Sequence, residues 1–456
     1  MKHVDIDASC KRHRAPVQSR HADGDGPVTR GVYLLLAAQF VSGLADNALL
    51  LVTIARLIEL DAAAWLAPLL KFLFTLAYVF LAPFVGLLAD RWAKASVMFQ
   101  SNAIKASGVL MIGIGVHPLA AFTVAGAGAA LYSPAKYGLI TELVPPADLV
   151  RANGWIEVTT VCAILLGTVL GGLLVSPAVT QSATLAPLAA LMPVDTALAP
   201  SLLCVLALYL LAAALNLLIP RHRPRYHPTP LRPGPALRRF AHANRTLWRD
   251  PLGGLSLAVT TLFWGVGATL QFIVLAWAQD RLELGLDQAA YLQGVVALGI
   301  VGGAFAAGRL VALRRAPAVL PLGIVMGLGV PLMTLVSSVP LAIPLLATVG
   351  ALAGYFVVPM NALLQHRGYT LLNAGESIAV QNFNENLAVL AMLALYTALL
   401  AAQWHINTLI FALGALVAVV IALVMWHHRR RSPGSAPGAG IAGPSPSELP
   451  PRQHPS

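Results

Sequence analysis

The chain of 456 residues is 57% hydrophobic and only 11% charged, with a mean hydropathy of +0.74. Soluble chains carry roughly 25% charged residues, so a water-soluble fold of this size could not cover itself, and the bilayer is the natural solvent for it. The formal charge of +11 comes from clusters, six basic residues ahead of the first apolar run, eight between Arg221 and Arg249 and four after Trp426, which fits loops on one side of a membrane and argues against nucleic acid as a partner.

Runs of about 20 apolar residues cross the hydrocarbon core. Such runs predict spans near 31–57, 64–89, 96–115, 118–140, 154–176 and 198–219, and again near 253–279, 289–312, 318–338, 341–365, 375–402 and 406–427. The expected fold is an all-α membrane protein of twelve transmembrane helices in two six-helix halves, 31–219 and 253–427. A basic linker, 220–252, joins them, and tails at 1–30 and 428–456 flank them. The tail after Arg431 is rich in Pro, Gly and Ser and is expected to be disordered, as is the polar, basic start of the chain. That start is too polar, and the first apolar run too long, for a cleaved secretory signal. Within the linker, Leu237 to Trp248 reads as a basic helix lying on anionic headgroups, or equally as a solvated connector whose charges only set topology.

Both termini are expected on the cytoplasmic side. Of the 30 basic residues, that orientation leaves only Arg56, Lys71, Lys105, Lys136 and Arg281 in the membrane or beyond it. Arg56 and Lys71 fall near the far ends of their spans and read as interfacial anchors. Cys10, Cys162 and Cys204 match no zinc or redox spacing, and no catalytic or metal-binding set emerges within the spans. No cofactor is expected.

The halves carry a faint repeat. Span four ends YSPAKYGLITEL and span ten ends FVVPMNALLQHRG, putting a proline, Pro134 or Pro359, in the fourth helix of each half; RANGWIEVTT opens span five and NAGESIAVQN span eleven. Two same-direction six-helix repeats resemble the major facilitator transporters, whose substrate site lies between the halves.

An ionisable side chain in the bilayer core costs at least about 2.5 kcal/mol, so it faces a cavity or a partner. Asp46, in SGLADNALL, lies 15 residues past Gly31, about 22 Å along the helix at 1.5 Å per residue, with Asn47 beside it. Lys105 is about 13 Å deep in span three, and Lys136 sits nearer the cytoplasmic end of span four, where it can snorkel. Span eleven is the most polar helix. Ser377, Gln381 and Glu385 share one face at i, i+4 spacing, with Asn382 and Asn386 beside them. This pattern reads as a cavity wall, with an interhelical hydrogen-bond seam as the alternative.

Between spans two and three, GLLADRWAKA resembles the major facilitator gating signature at Gly86, Leu88, Ala89, Asp90, Arg91 and Lys94. Ala93 and Ala95 replace a glycine and a base. The resemblance implies a cytoplasmic latch in which Asp90 pairs across helices and holds the outward-open state.

Longer strings carry a closer likeness: AQFVSGLADNALL, GAALYSPAKYGLITEL, ANGWIEVTTVCAILLG, TLFWGVGATL and IAVQNFNENLAVL. From about Gln39 to Trp426 the chain resembles the bacterial lysophospholipid transporters, flippases of the major facilitator superfamily. The resemblance implies inward flipping of lysophosphatidylethanolamine-class lipids across the bacterial inner membrane. It also implies a separate acyl-carrier-protein synthetase/lysophospholipid acyltransferase that re-acylates them. It places the family's acidic–amide pair on Asp46 and Asn47 and its helix-four lysine on Lys136. Relatives have an arginine where this chain has Gln271, which shifts phosphate recognition toward Lys105 or Lys136, with Gln381 and Glu385 completing the headgroup path. Two rivals remain from sequence. One is a proton-coupled exporter of small hydrophobic compounds; the other is a membrane-embedded lipid acyltransferase.

Overall fold

The computed structural model describes residues 30–431 apart from 64–65, 183, 185–186, 188–191, 195, 221–231 and 285. The expected tails, except Arg30 and residues 428–431, and the first part of the linker lie outside the described residues. Residues 428–431 continue the last helix.

Helices dominate because a chain in hydrocarbon must satisfy every backbone N–H and C=O within its own span. The first half comprises α1 (Arg30–Glu59), α2 (Leu66–Arg91), α3 (Lys94–Gly113), α4 (Pro118–Leu143), α5 (Leu149–Leu174) and α6 (Ala199–Leu217). A linker helix, α7 (Pro233–Arg249), precedes the second half. That half comprises α8 (Pro251–Leu282), α9 (Leu286–Leu310), α10 (Leu313–Leu335), α11 (Val339–Leu371), α12 (Ala374–Ala401) and α13 (Ile406–Arg431). Among the described residues, ten of these helices are long and apolar enough to cross a membrane. Besides the linker helix α7, the remaining two, α3 and α4, carry Lys105 and Lys136 and many small residues. α10 runs as a 3-10 turn, an α-helix and a second 3-10 stretch. Pro317, Pro321 and Pro331 remove N–H donors along it.

Pro134 lies buried inside α4 and Pro359 buried inside α11, each in the fourth helix of its half. An even number of crossings brings Arg30 and Arg431 out on one face, here termed the terminal face, and α7 lies on that same side.

Lipid tails are as apolar as leucine, so the helices gain cohesion from close van der Waals contact rather than from expulsion of water. α9 and α11 show this most clearly. Gly299 and Gly303 on α9 meet Gly350 and Gly354 on α11, and a Cβ at any of the four would strike the facing backbone. The two G-x-x-x-G rows interlock and set the axial distance of the pair. Replacing Gly303 by Leu is expected to force the two helices apart and destabilise the fold by about 1–3 kcal/mol or more, read as an earlier transition in detergent-denaturation titrations of the purified protein. The neighbouring exposed Gly302, with open space around it, is expected to accept Ala without change.

Candidate functional site

Across the two halves, α2 packs on α12, α5 on α9 and α11, and α4 on α12. The cross-half contacts below lie toward the terminal face, and α1 and α8 make no comparable contact. That end of the bundle is shut.

The shut end is built around Asp90. Residues Ala374, Gly375 and Glu376 open α12, whose preceding residue, Asn373, makes no side-chain cap. Asp90, from the other half, supplies the cap instead. Its Oδ1 accepts from Gly375 N at 2.8 Å and its Oδ2 from Glu376 N at 3.0 Å. These are first-turn donors with no partner inside the helix, and a carboxylate there also meets the positive end of the helix dipole. Gly86 allows the approach. A Cβ on it would lie 2.9 Å from both Ala379 Cβ and Glu376 Cα. Lys94 bonds Glu142 at 2.8 Å and stands 3.7 Å from Asp90, neutralising the buried acids. Arg91 is exposed, away from this cluster. An amide pair, Asn153 with Gln365, exchanges two hydrogen bonds of 2.9 and 2.8 Å across the seam, and Asn382 donates to Ser133 at 2.9 Å.

The linker helix fastens to the same place. Its apolar row, Ala236, Ala243 and Leu247, is buried. Arg239 forms a two-pronged ion pair with Glu376 at 2.9 and 3.1 Å, and that carboxylate holds the Arg239 guanidinium above its ordinary range, chiefly by hydrogen bonding. Asn384 joins Asn244 and Trp248. The residues expected to form a basic helix, Leu237–Trp248, are therefore helical and anchored to α12 through one face. Arg238, His242, Arg245 and Arg249 stay exposed at i, i+4, i+7 and i+11.

Deeper in the first half, Lys105 and Asp46 form an ion pair of 2.8 Å. The partners are unequally placed: the Asp46 side chain is 22% exposed and the Lys105 side chain 2%. Lys105 also donates to Ser42 at 3.0 Å and lies 5.0 and 5.8 Å from the rings of Tyr132 and Tyr209. Tyr209 donates to the other Asp46 oxygen at 2.8 Å, and Ser42 donates to Asn102. α1, α3, α4 and α6 thus converge on one charged pair whose carboxylate edge alone reaches open space. Lys105 is held by this shell and presents no free face. Asn47 donates to Gly43 of its own helix and abuts Gly167 on α5, so its amide serves helix packing between α1 and α5.

Lys136 is half-buried, 4.1 Å above the Tyr137 ring, and has no ion-pair partner among the described residues. The charges of Glu157, Lys105 and Asp46 act on it. Glu157 on α5 and Glu385 on α12 are buried and come from opposite halves, and the charge of Glu157 acts on Glu385. Gln381 joins Glu385 at 2.8 Å to Asn361 at 3.1 Å. The polar helix α12 therefore serves as a seam at its start, through Gly375, Glu376 and Asn382, and reaches the central charges only at Glu385. Gln271 is exposed in the outer part of α8, where its carbonyl accepts from Gln293. The structure does not bring it to the Asp46 cluster.

Sequence reasoning missed Glu157 and Tyr209 as site residues. Glu157 had a signal, an acid eight residues into an apolar helix. A lone tyrosine in an apolar run carries none, and Tyr209 becomes visible only through its bond to Asp46. Arg56, in the last turn of α1, is buried against Glu59, which ties α1 to Thr196 and Ala197 ahead of α6. It makes a tertiary tie at that end of the helix.

Two outcomes are expected. Asp46→Asn strands the Lys105 ammonium without a counter-charge, a loss of about 3–5 kcal/mol for a buried pair, measured as thermal stability in detergent; adding Lys105→Met is expected to recover most of it. Asp90→Ala deletes two bonds to the start of α12, and caps are worth about 0.5–2 kcal/mol, so labelling of a cysteine placed at Ala379 from the terminal side should rise several-fold.

A family model described as Major Facilitator Superfamily matches residues 35–392. The Lysophospholipid transporter LplT of Yersinia enterocolitica is 40% identical over 383 residues, covering 83% of this chain and 90% of that protein. That of Yersinia pestis is 41% identical over 372 residues, covering 81% and 87%. Among solved structures, the fold is shared with the Escherichia coli fucose:proton symporter FucP, at a TM-score of 0.67 and 14% identity over 88% of this chain and 98% of that one. A bacterial homologue of the iron transporter ferroportin in an outward-facing state gives 0.66 and 15% over 88% and 100%. With its described helices falling into two halves that meet at one end, and relatives about 40% identical matched along most of its length, the chain is a multi-pass membrane protein that belongs to the major facilitator superfamily, in the family of the lysophospholipid transporters.

Proposed function

We propose that this protein is a secondary transporter that flips lysophospholipids, of the lysophosphatidylethanolamine class, inward across the bacterial inner membrane by alternating access between its two halves. The termini and α7 then lie in the cytoplasm, and the shut terminal end makes this the outward-open state. A separate acyl-carrier-protein synthetase/lysophospholipid acyltransferase re-acylates the product.

The observation that carries the reading is the lopsided Asp46–Lys105 pair. A lysolipid keeps its one acyl chain in hydrocarbon, and only its headgroup is costly to move. The site must therefore receive a cation and an anion close together. Asp46 offers its open carboxylate edge to an ethanolammonium while Lys105 pairs with that carboxylate from behind. Lys136, free of an ion pair among the described residues, is the cation to which the phosphate turns. Glu385 and Gln381 supply the opposing wall from the second half, so closing the halves around the headgroup completes its coordination. Gln271, where relatives carry arginine, leaves the phosphate to Lys136. Asp90, Gly86 and Lys94 act at a distance from the lipid, as the latch that must release before the terminal end opens.

A second reading, a proton-coupled exporter of small hydrophobic compounds, draws on Glu157 and Glu385, two buried acids from opposite halves. One assay separates the two readings. In proteoliposomes, lysophosphatidylethanolamine translocation by the full chain is read by albumin extraction, with and without a proton ionophore. Lysolipid movement is expected, and Lys136→Ala is expected to slow it about tenfold or more, the worth of one charge-assisted contact, without loss of folded protein. Proton-dependent efflux of a hydrophobic dye with no movement of lysolipid would instead establish the exporter.

A further inference from the structure

The α5–α9 seam closes at the terminal end, as the Asp90 cap does, but on another side of the bundle. The two backbones touch at Gly154 and Gly308. Outside that contact lies a shallow, open cleft lined by Arg151, Gly154, Trp155, Phe305, Gly308 and Arg309. Arg151 is the third residue of α5 and Arg309 the penultimate residue of α9. Each arginine is thus at the helix end, and each has an aromatic ring one turn deeper on its own helix, Trp155 and Phe305. The rings meet edge to face with centroids 5.7 Å apart, and both remain exposed. The Arg309 guanidinium lies 4.1 Å from the Phe305 ring. Both arginines are exposed and neither has a carboxylate partner among the described residues.

Two guanidinium groups facing one cleft from different halves repel one another unless an anion lies between them. Arginine's planar fork suits phosphate oxygens better than any other side chain does. A free anion would engage the arginines and leave the rings one turn deeper without a partner. A lipid uses both layers, its phosphate at helix-end level and its chains along the indole and phenyl, which are the ring types found where a bilayer turns polar.

We propose that this cleft binds an anionic glycerophospholipid of the surrounding leaflet, with its phosphate between Arg151 and Arg309 and its acyl chains on Trp155 and Phe305. The site is separate from the transport path around Asp46. Because its two arginines belong to opposite halves, the bound lipid bridges the seam, and the terminal end can open only as the bridge is broken. The charge of one leaflet thereby biases the conformational equilibrium of the transporter.

Trp155 reports on the site directly. Full-length protein is reconstituted in nanodiscs of phosphatidylcholine with increasing brominated phosphatidylglycerol, brominated phosphatidylcholine or brominated lysophosphatidylethanolamine. The Trp155 signal is taken as the difference from Trp155→Phe. Half-maximal quenching is expected at about a tenfold lower mole fraction of brominated phosphatidylglycerol than of brominated phosphatidylcholine. That ratio should fall to about one in Arg151→Gln/Arg309→Gln, two exposed changes that leave the buried seam intact. Equal quenching by both diacyl lipids in the wild type overturns the proposal. So does a preference for the lysolipid, which would make the cleft an exit port for cargo, and so does relief of quenching by millimolar inorganic phosphate, which would mark a simple anion site.

Discussion

Charge in hydrocarbon is expensive, at least about 2.5 kcal/mol for one side chain at mid-bilayer, and the first half of this bundle is arranged around a single answer to that cost. Lys105 is almost wholly enclosed. Its ammonium is satisfied by the Asp46 carboxylate, the Ser42 hydroxyl and two tyrosine faces. To bring those groups together, α1, α3, α4 and α6 must converge at one depth. The lysine fixes the carboxylate in place, and the carboxylate, being the more open partner, becomes the point at which an outside cation can bind. Structural need and binding capacity therefore reside in the same pair.

The second organising contact obeys the same rule for backbone groups. A helix N-terminus buried at a seam between halves has N–H groups that water cannot reach. Asp90 meets them from the opposite half. A cap supplied by the helix's own Asn373 would be indifferent to how the halves sit, whereas a cap supplied across the seam exists only when that end is shut. This converts an ordinary requirement of helix ends into a conformational switch worth about 0.5–2 kcal/mol, small enough to be overcome when a substrate is bound. Arg239 draws the linker helix into the same junction through Glu376, so the covalent connection between the halves also registers the state of the gate.

Polar residues along α12 illustrate why the reading of a single helix has two outcomes. The face through Ser377, Gln381 and Glu385 is legible as a row, and its i, i+4 spacing excludes lipid exposure. Yet the residues near the start of the helix are consumed by the seam, and only Glu385 extends to the central charges. Depth along the helix, not composition, separates the two roles. The same holds for the α9–α11 pair, where glycines scattered through apolar sequence acquire meaning only when two G-x-x-x-G rows face each other.

The sequence by itself determined the membrane class and the order of the long apolar helices, because apolar length and charge placement act locally and along the chain. It also singled out Asp46, Lys105, Lys136 and Glu385, since a charge within an apolar run is conspicuous wherever it folds. Partnership was decided only by tertiary structure. Whether Lys105 faces a cavity or a carboxylate, which groups Arg56 and Glu59 tie together, and that Glu157 and Tyr209 lie with the central charges all depend on which helix faces touch. Helices in a bilayer choose those faces through small residues and shared hydrogen bonds, a signal spread over pairs of distant segments that no single stretch of sequence contains.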